Sequence, residues 1–365
     1  MSRSTPPQAD EFEVSIFGPG RGECIVIHLG NNEWCVVDSC IDRATRQPIA
    51  MQYLNSLASD ALSGVRLIVA THWHDDHIRG LSSLLKAAPA ARFCCSLALK
   101  DDHFLTLVQV ATDGGQPESG VDEFSEVFNT LMRRKGSTHA SLVSPQLAIQ
   151  NRVLLKLDRS SASLSVAISS LSPSDGTTRK AITQFGSLIP REGAILGSIP
   201  DQPENHTSIA LWLNLGTRRV LLGADLEHTG RDGEGWLAVL SSKQDAGKAG
   251  IYKVPHHGSS NGDYDAIWEE LLGNQPFAVV TPFSSGKKLP QPSDISRLLT
   301  RTDNLYCTAS GSKALPRRDN NVERELRGMT RRAVEGDSGH VRLRWTSSES
   351  EEAIRVELFN GAYRA

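Results

Sequence analysis

The sequence predicts an α/β protein, and three observations carry that expectation. Short β-branched runs separated by turn residues open the chain. A helical periodicity and then a short unbroken apolar run follow, and the β pattern returns after Ile199. Alternation between these periods is the signature of mixed sheets with helices packed on them.

The elements can be taken in order. Glu13–Phe17, Glu23–Leu29 and Trp34–Val37 read as strands joined by Gly-Pro-Gly and Asn31-Asn32 turns, which implies antiparallel hairpins. Residues Ile49 to Leu62 have helical spacing. Val65–Ala70 is apolar without alternation, as in a strand buried on both faces. From Ala91 to Ile199 the character changes, with helices expected over Asp101–Val110 and Asp122–Lys135 and a Ser/Pro/Gly-rich loop near Leu171–Asp175. This stretch, 91–199, is expected to be an inserted cap or lid within one domain spanning residues 1–365. Strands then recur at Ser208–Leu213, Arg219–Leu222, Gly250–Val254 and Phe277–Val280, a helix at Ser293–Thr300, and strands at Val341–Trp345 and Ala353–Leu358.

Composition narrows the class. The chain has 365 residues, 39% hydrophobic and 22% charged, with a formal net charge of -3. That balance excludes a global basic field drawing it to nucleic acid or anionic membrane. No run of about 18 apolar residues occurs and the N-terminus lacks a signal-peptide core, so the expectation is a soluble cytoplasmic protein without membrane contact. Six cysteines without a CxxC spacing predict small buried thiols rather than a disulfide framework.

The chemistry concentrates in His72, His74, Asp76 and His77, an H-x-H-x-D-H cluster placed where the Val65–Ala70 strand ends. Two histidines two residues apart on a turn can aim both rings at one ion. The next aspartate and histidine then face a neighbouring ion. Imidazole and carboxylate at this density suit zinc, with manganese or iron where oxygen donors dominate.

H-x-H-x-D-H after a β-strand resembles the signature of the metallo-β-lactamase superfamily, whose fold is a four-layer αββα sandwich with metals at one edge of the sheets. Phe17–Ile27, Asn205–Leu211, Leu222–Asp225, Val254–Ser259, Leu289–Ser293 and Leu305–Thr308 are similar, in order, to motifs of the branch related to the hydrolase domain of bacterial DNA-uptake channel proteins. The resemblance implies two divalent ions, zinc or manganese. His72 and His74 would bind the first, with His206 or Asn205 beside them. Asp76 and His77 would bind the second with one of the His256-His257 pair, assigned to His256. Asp225 would bridge the ions. Asp38, Asn205 and Ser259 would support the ligands from behind, Asp76 and His257 are the expected catalytic residues, and Arg79 and Lys253 the expected substrate contacts. Arg79, Glu23 and Gln291 depart from the branch pattern, where a small residue, an aspartate and a histidine are usual.

The function implied is hydrolysis by a metal-bound hydroxide, with DNA or RNA phosphodiesters as the leading substrate. An arginine-rich stretch (Arg317, Arg318, Arg324, Arg327, Arg331, Arg332) could follow a phosphate backbone, although Asp319, Glu323, Glu325 and Glu335 intersperse it. The alternatives are a small-molecule hydrolase (cyclic nucleotide, phosphoester, lactam or thioester) and an effector, for example in antiviral defence, activated by a protein partner.

Overall fold

A computed structural model describes residues 5–18, 22–42, 44–58, 60–100, 119–188, 204–242, 247–284, 288–309, 339–347 and 353–365. The expected helix at Asp101–Val110 and the arginine-rich stretch lie outside these residues.

The chain opens with β1 (Glu11–Gly18), β2 (Cys24–His28) and β3 (Trp34–Val37), and continues through α1 (Ile49–Leu57), β4 (Val65–Val69), α2 (Asp75–Ile78), α3 (Leu81–Ala87), β5 (Arg92–Ser96), α4 (Ser119–Arg133) and β6 (Gln146–Ala148). The next elements are β7 (Arg152–Leu157), β8 (Val166–Ser170), α5 (Asp175–Leu188), β9 (Leu211–Leu215), β10 (Arg218–Leu222), α6 (Gly235–Ser242), β11 (Ala249–Lys253), β12 (Leu272–Val280), α7 (Pro292–Leu299) and β13 (Leu305–Cys307). The described chain ends with β14 (Gly339–Thr346), β15 (Arg355–Phe359) and β16 (Tyr363–Arg364).

These strands form two eight-stranded sheets, ordered β15-β14-β1-β2-β3-β4-β5-β6 and β16-β13-β12-β11-β10-β9-β8-β7. The first hairpins are antiparallel as expected, and β3 to β6 are parallel. Strand parity explains the continuous apolar runs. In β2, Ile25 and Ile27 face the core between the sheets, where Val69, Leu213, Ile251 and Val279 also lie. Cys24 and Val26 face an outer core with Tyr53 and Leu54 of α1, Phe124 of α4 and Phe185 of α5. A third core packs the other sheet against Trp236 of α6, Leu298 of α7 and Trp268 of the helical turn Ile267–Leu271. Three apolar layers between helices and sheets make a four-layer αββα sandwich. All six cysteines are buried free thiols. Among the described residues no helix is long and apolar enough to cross a membrane.

Two expectations change. The α1 helix stops at Leu57, and the chain turns through Asp60–Gly64, where Ser63 and Gly64 donate to the Asp60 carbonyl. That turn brings Gly64 against Asn32, close enough that a Cβ at 64 would sit 2.0 Å from the Asn32 carbonyl oxygen. The 91–199 stretch, expected as an inserted cap, supplies β5 and β6 to the first sheet and β7 and β8 to the second. Its strands escape a pattern reading because β7 is an edge strand with Arg152, Val153 and Lys156 exposed, so its apolar alternation is weak.

At the end of β2, His28 is buried at 1% exposure. Its Nδ1 lies 2.8 Å from the Glu11 carbonyl and its Nε2 3.2 Å from the Asn32 amide. The neutral ring therefore donates at Nδ1 and accepts at Nε2, and a second proton would face the Asn32 N–H. Burial pushes its pKa down to about 4 from 6.5. The unfolded chain thus binds this proton at a higher pH than the folded chain does. Stability should fall as pH drops through the window from 6.5 to about 4, by about 3 kcal/mol from this ring if the linkage is complete. Urea unfolding at pH 7, 5.5 and 4.5 checks this, and His28→Asn should flatten the slope; equal slopes for both proteins would contradict the assignment.

Candidate metal centre

The site assembles at the C-terminal ends of strands from both sheets. The β4 strand leads into Thr71 and His72, and the short α2 helix carries Asp75 to Ile78 with His74 at its N-cap. Trp73 fixes this loop from outside, packing edge-on to Phe185 with ring centroids 6.4 Å apart. From the second sheet, β10 leads to Asp225 and β11 to the His256–Gly258 turn.

Gly22 allows the two segments of the first sheet to meet. It has φ +124°, and a Cβ there would lie 2.7 Å from the Asp76 carbonyl oxygen and 2.9 Å from Cβ of Cys40. The adjacent Glu23 amide donates to that Asp76 carbonyl at 2.9 Å. Only glycine gives both the positive φ and the clearance.

Asp38 anchors the histidine loop. It follows β3 with φ +60°, a left-handed conformation that aspartate tolerates better than most side chains. Its Oδ1 accepts the Thr71 amide at 2.7 Å, and its Oδ2 accepts Thr71 Oγ1 at 2.7 Å and His77 Nδ1 at 2.7 Å. The Thr71 hydroxyl, having given its proton to Asp38, accepts from His72 Nδ1 at 2.9 Å. One carboxylate thereby sets the ring orientation of two histidines and leaves both Nε2 atoms with lone pairs facing the site.

Those lone pairs find no protein partner. His72 Nε2, His77 Nε2 and Asp225 Oδ1 are buried and without a hydrogen bond. All three lie within 4.8 Å of one another, as do donors of Asp76, His77 and His257. Asp225 faces both ways: its Oδ1 lies 3.5 Å from His77 Nε2 and its Oδ2 3.6 Å from His257 Nε2. Buried polar atoms are normally bonded. Converging orphan nitrogen and oxygen donors therefore fit a divalent cation.

Charge accounts for the rest. Against the cost of complete burial, Asp225, Asp76, Asp38 and Glu23 raise the pKa of His77 well above its ordinary value. His257 is raised in the same way, burial being outweighed by Asp225 and by its contact with Asp76. Asp225 is held well below the carboxylate range, where His77, His257 and Lys253 prevail over burial. His72 is lowered by burial and by the neighbouring His77 and His74. Burial raises Asp38 despite its bonds to His77 and Thr71.

The structure brings together His72, Asp76, His77, Asp225 and His257. His74 packs its ring edge-on to His72, centroids 4.8 Å apart, outside the converging donor groups. Of the adjacent pair, His257 rather than the expected His256 joins the donors. Both have left-handed backbones, φ 44° and 54°. His257 donates from Nδ1 to the Thr281 carbonyl at 2.9 Å and brings Nε2 to 3.2 Å from Asp76 Oδ2. His256 turns away to Glu227 Oε1 at 3.0 Å and Asn261 Oδ1 at 3.0 Å. His206 and Asn205 also go to Glu227, His206 Nε2 at 3.8 Å and Asn205 Nδ2 at 2.8 Å, while Asn205 Oδ1 is buried without a hydrogen bond. Ser259 is buried, its amide on the His256 carbonyl.

Of the two expected substrate contacts, Lys253 does not face an open site. Lys253 is 0% exposed, with Nζ 2.7 Å from Glu23 Oε2, 3.9 Å from Asp225 Oδ1 and 3.2 Å from the Ala224 carbonyl. It is a buried counter-charge, and the expectation is corrected accordingly. Arg79 is exposed and pairs with Asp75 at 2.6 Å. Glu23 and Glu227 were not expected as site partners. Glu23 carried a signal, because a charge abutting the apolar run Cys24–Ile27 needs a buried partner.

Asp38→Asn keeps the backbone conformation but replaces the acceptor of His77 Nδ1–H. We expect metal affinity, measured by competition with a chelating dye, to fall by roughly 10–100-fold with the fold retained. An unchanged affinity would show that Asp38 does not orient the ligands.

Residues 17–155 match the Metallo-beta-lactamase superfamily profile. This stretch is a metallo-β-lactamase superfamily domain, and the two-sheet sandwich around it is the metallo-β-lactamase fold. Similar solved structures include the metallo-beta-lactamase fold protein YhfI from Bacillus subtilis, 11% identical, covering 83% of this chain and 98% of that one at TM-score 0.40. Others are the class B3 di-zinc enzyme LRA-12 from an Alaskan soil metagenome, 15% identical over 62% of this chain and 66% of that one at TM-score 0.28, and Zn(2+)-bound PqqB from Methylobacterium extorquens, 12% identical over 63% and 58% at TM-score 0.29. No curated protein matches the sequence.

Proposed function

We propose that this protein is a hydrolase that uses two divalent metal ions, zinc or manganese, to cleave phosphodiester bonds in DNA or RNA. The observation that carries the hydrolase reading is the convergence of His72 Nε2, His77 Nε2 and Asp225 Oδ1, buried and unpartnered, beside Asp76 and His257. These five side chains would hold the ions, with Asp225 facing both and His74 adjoining His72. Bound there, the ions supply Lewis-acid charge stabilisation and activation of water.

The protein's own part is positioning and charge. Asp38 and Thr71 fix the two histidine rings, and the Thr281 carbonyl fixes His257. Asp76 is the partly exposed donor, its side chain 18% accessible, and so marks the side from which a substrate approaches. The phosphodiester class is supported by the ordered resemblance of Phe17–Ile27, Leu222–Asp225 and Val254–Ser259 to the DNA-uptake-related branch.

Metal-loaded protein should cleave at least one of linear DNA, circular DNA, RNA and a chromogenic phosphodiester, and an Asp76→Ala/His77→Ala double variant should not. Binding to the cleaved polymer should weaken steeply with salt. Identical behaviour of both proteins on every substrate would refute the phosphodiesterase reading. Turnover confined to a small ester, insensitive to salt, would move the assignment to a small-molecule hydrolase.

A further inference from the structure

We propose that Arg297, on the outer helix α7, is a positioning residue for the metal centre: it clamps the left-handed turn that presents His257 to the other donors. This role rests on the reading of His72, Asp76, His77, Asp225 and His257 as metal ligands. It adds a residue outside that set on which one of the ligands depends.

The turn is strained. His256, His257 and Gly258 have φ of 44°, 54° and 81°, three successive residues in the left-handed region. Only glycine adopts that region freely, so two adjacent histidines persist there only where the surroundings fix them. The His256 amide donates to the Ala224 carbonyl at 2.9 Å as the chain enters the turn. Within it, the Gly258 amide donates to the Pro255 carbonyl and the Ser259 amide to the His256 carbonyl, each at 2.9 Å. Arg297 ties the far end, its Nη2 donating to the Gly258 carbonyl at 2.8 Å. Gly258 also rests on α7 and its approach. A Cβ there would lie 3.4 Å from Cβ of Pro290 and 3.6 Å from Cδ1 of Leu298.

Arg297 is itself fixed. Its Nη1 donates to Asp263, and its Nη2 also reaches Asp294 Oδ1 at 3.2 Å. The other oxygen of Asp263 accepts Trp268 Nε1 at 2.6 Å, and that of Asp294 accepts the Gln291 amide at 2.8 Å, at the N-terminus of α7. One planar guanidinium therefore joins the turn, the loop that follows it and the helix, a fork that a lysine ammonium does not reproduce. The series of contacts ends on a ligand: His257 Nε2 lies 3.2 Å from Asp76 Oδ2 and 3.6 Å from Asp225 Oδ2. Release of the Gly258 carbonyl would let the turn relax and carry His257 away, while the remaining donors keep their places on other loops.

Arg301, just past α7, offers a matched control. It is 31% exposed against 28% for Arg297, and among the described residues its guanidinium bonds to Asp265 rather than to the turn.

Metal-depleted full-length protein reloaded with zinc or cobalt(II) tests the clamp in the wild type, Arg297→Gln, Arg297→Lys and Arg301→Gln. Dye competition gives affinity, the visible bands of cobalt report its donors, and urea unfolding gives stability. Arg297→Gln should weaken one ion at least about tenfold, the size of effect seen when an outer partner of a ligand is lost, and should change the cobalt bands. Arg297→Lys keeps a charge for Asp263, so it should fold and share both defects. Arg301→Gln should lower the urea midpoint yet bind metal as the wild type does. Wild-type affinity and cobalt bands in either Arg297 variant overturn the clamp, as does an equal loss of affinity in Arg301→Gln. Those outcomes leave the metal centre standing, whereas a wild-type protein that binds no ion refutes the centre and the clamp together.

Discussion

Asp225→Ala should purify with less metal per chain than the wild type and should bind the remaining ion far more weakly. Asp225 is the donor that the geometry can least replace. It directs one oxygen toward His77 and the other toward His257, at 3.5 Å and 3.6 Å. Removal takes away a full negative charge from the midst of two imidazoles and Lys253. Loss of an outer partner of a ligand typically costs 10–100-fold in affinity, and loss of a ligand facing both sides should exceed that range. Elemental analysis gives the stoichiometry and dye competition the affinity. Circular dichroism should remain unchanged, because the strands leading to Asp225 are held by their own ladder and by apolar contacts on both faces. Wild-type stoichiometry and affinity in this variant would remove Asp225 from the centre.

Lys253→Met should destabilise the protein by about 3–5 kcal/mol, the cost usually seen when one member of a buried ion pair is deleted. Methionine matches the length and packing of the lysine stem, so cavity formation contributes little. The penalty arises at Glu23, 1% exposed, whose Oε2 keeps the Thr281 hydroxyl, with His257 Nδ1 farther off at 3.8 Å. A second change, Glu23→Gln, removes the stranded charge and should restore most of the loss. Urea midpoints for the wild type, both single variants and the double variant give the coupling directly. Additive effects of the two substitutions would show that the pair is not coupled.

The sequence announces the centre where donors are dense and local. His72, Asp76 and His77 sit within one turn at a strand end, and their convergence needs no knowledge of distant contacts. Asp225 is legible from its place after an apolar strand, once the order of motifs is considered. The choice between His256 and His257 is not, because it depends on which of two successive left-handed residues points inward. Adjacent side chains there differ by a backbone rotation that residue type does not encode. Lys253 misleads for a related reason. A lysine at the end of a strand near a metal motif resembles a substrate contact, and only the position of Glu23, just before β2 of the other sheet, reveals its partner. The β6 to β8 strands escape because they lie toward the sheet edges, where half-exposed positions blur the period-two pattern.

The donors come from both sheets, and that division governs when the ion can be captured. Asp76 and His257 are 181 residues apart in the chain. A nascent chain that has reached only β6 offers His72, Asp76 and His77 but lacks Asp225 and His257. Tight chelation therefore waits for contacts between segments far apart in the chain, a kind that is slow to form. An ion held by the full set selects the finished sandwich over half-assembled states and clasps its halves by mass action. Metal occupancy is thus a certificate that the two sheets have met in register.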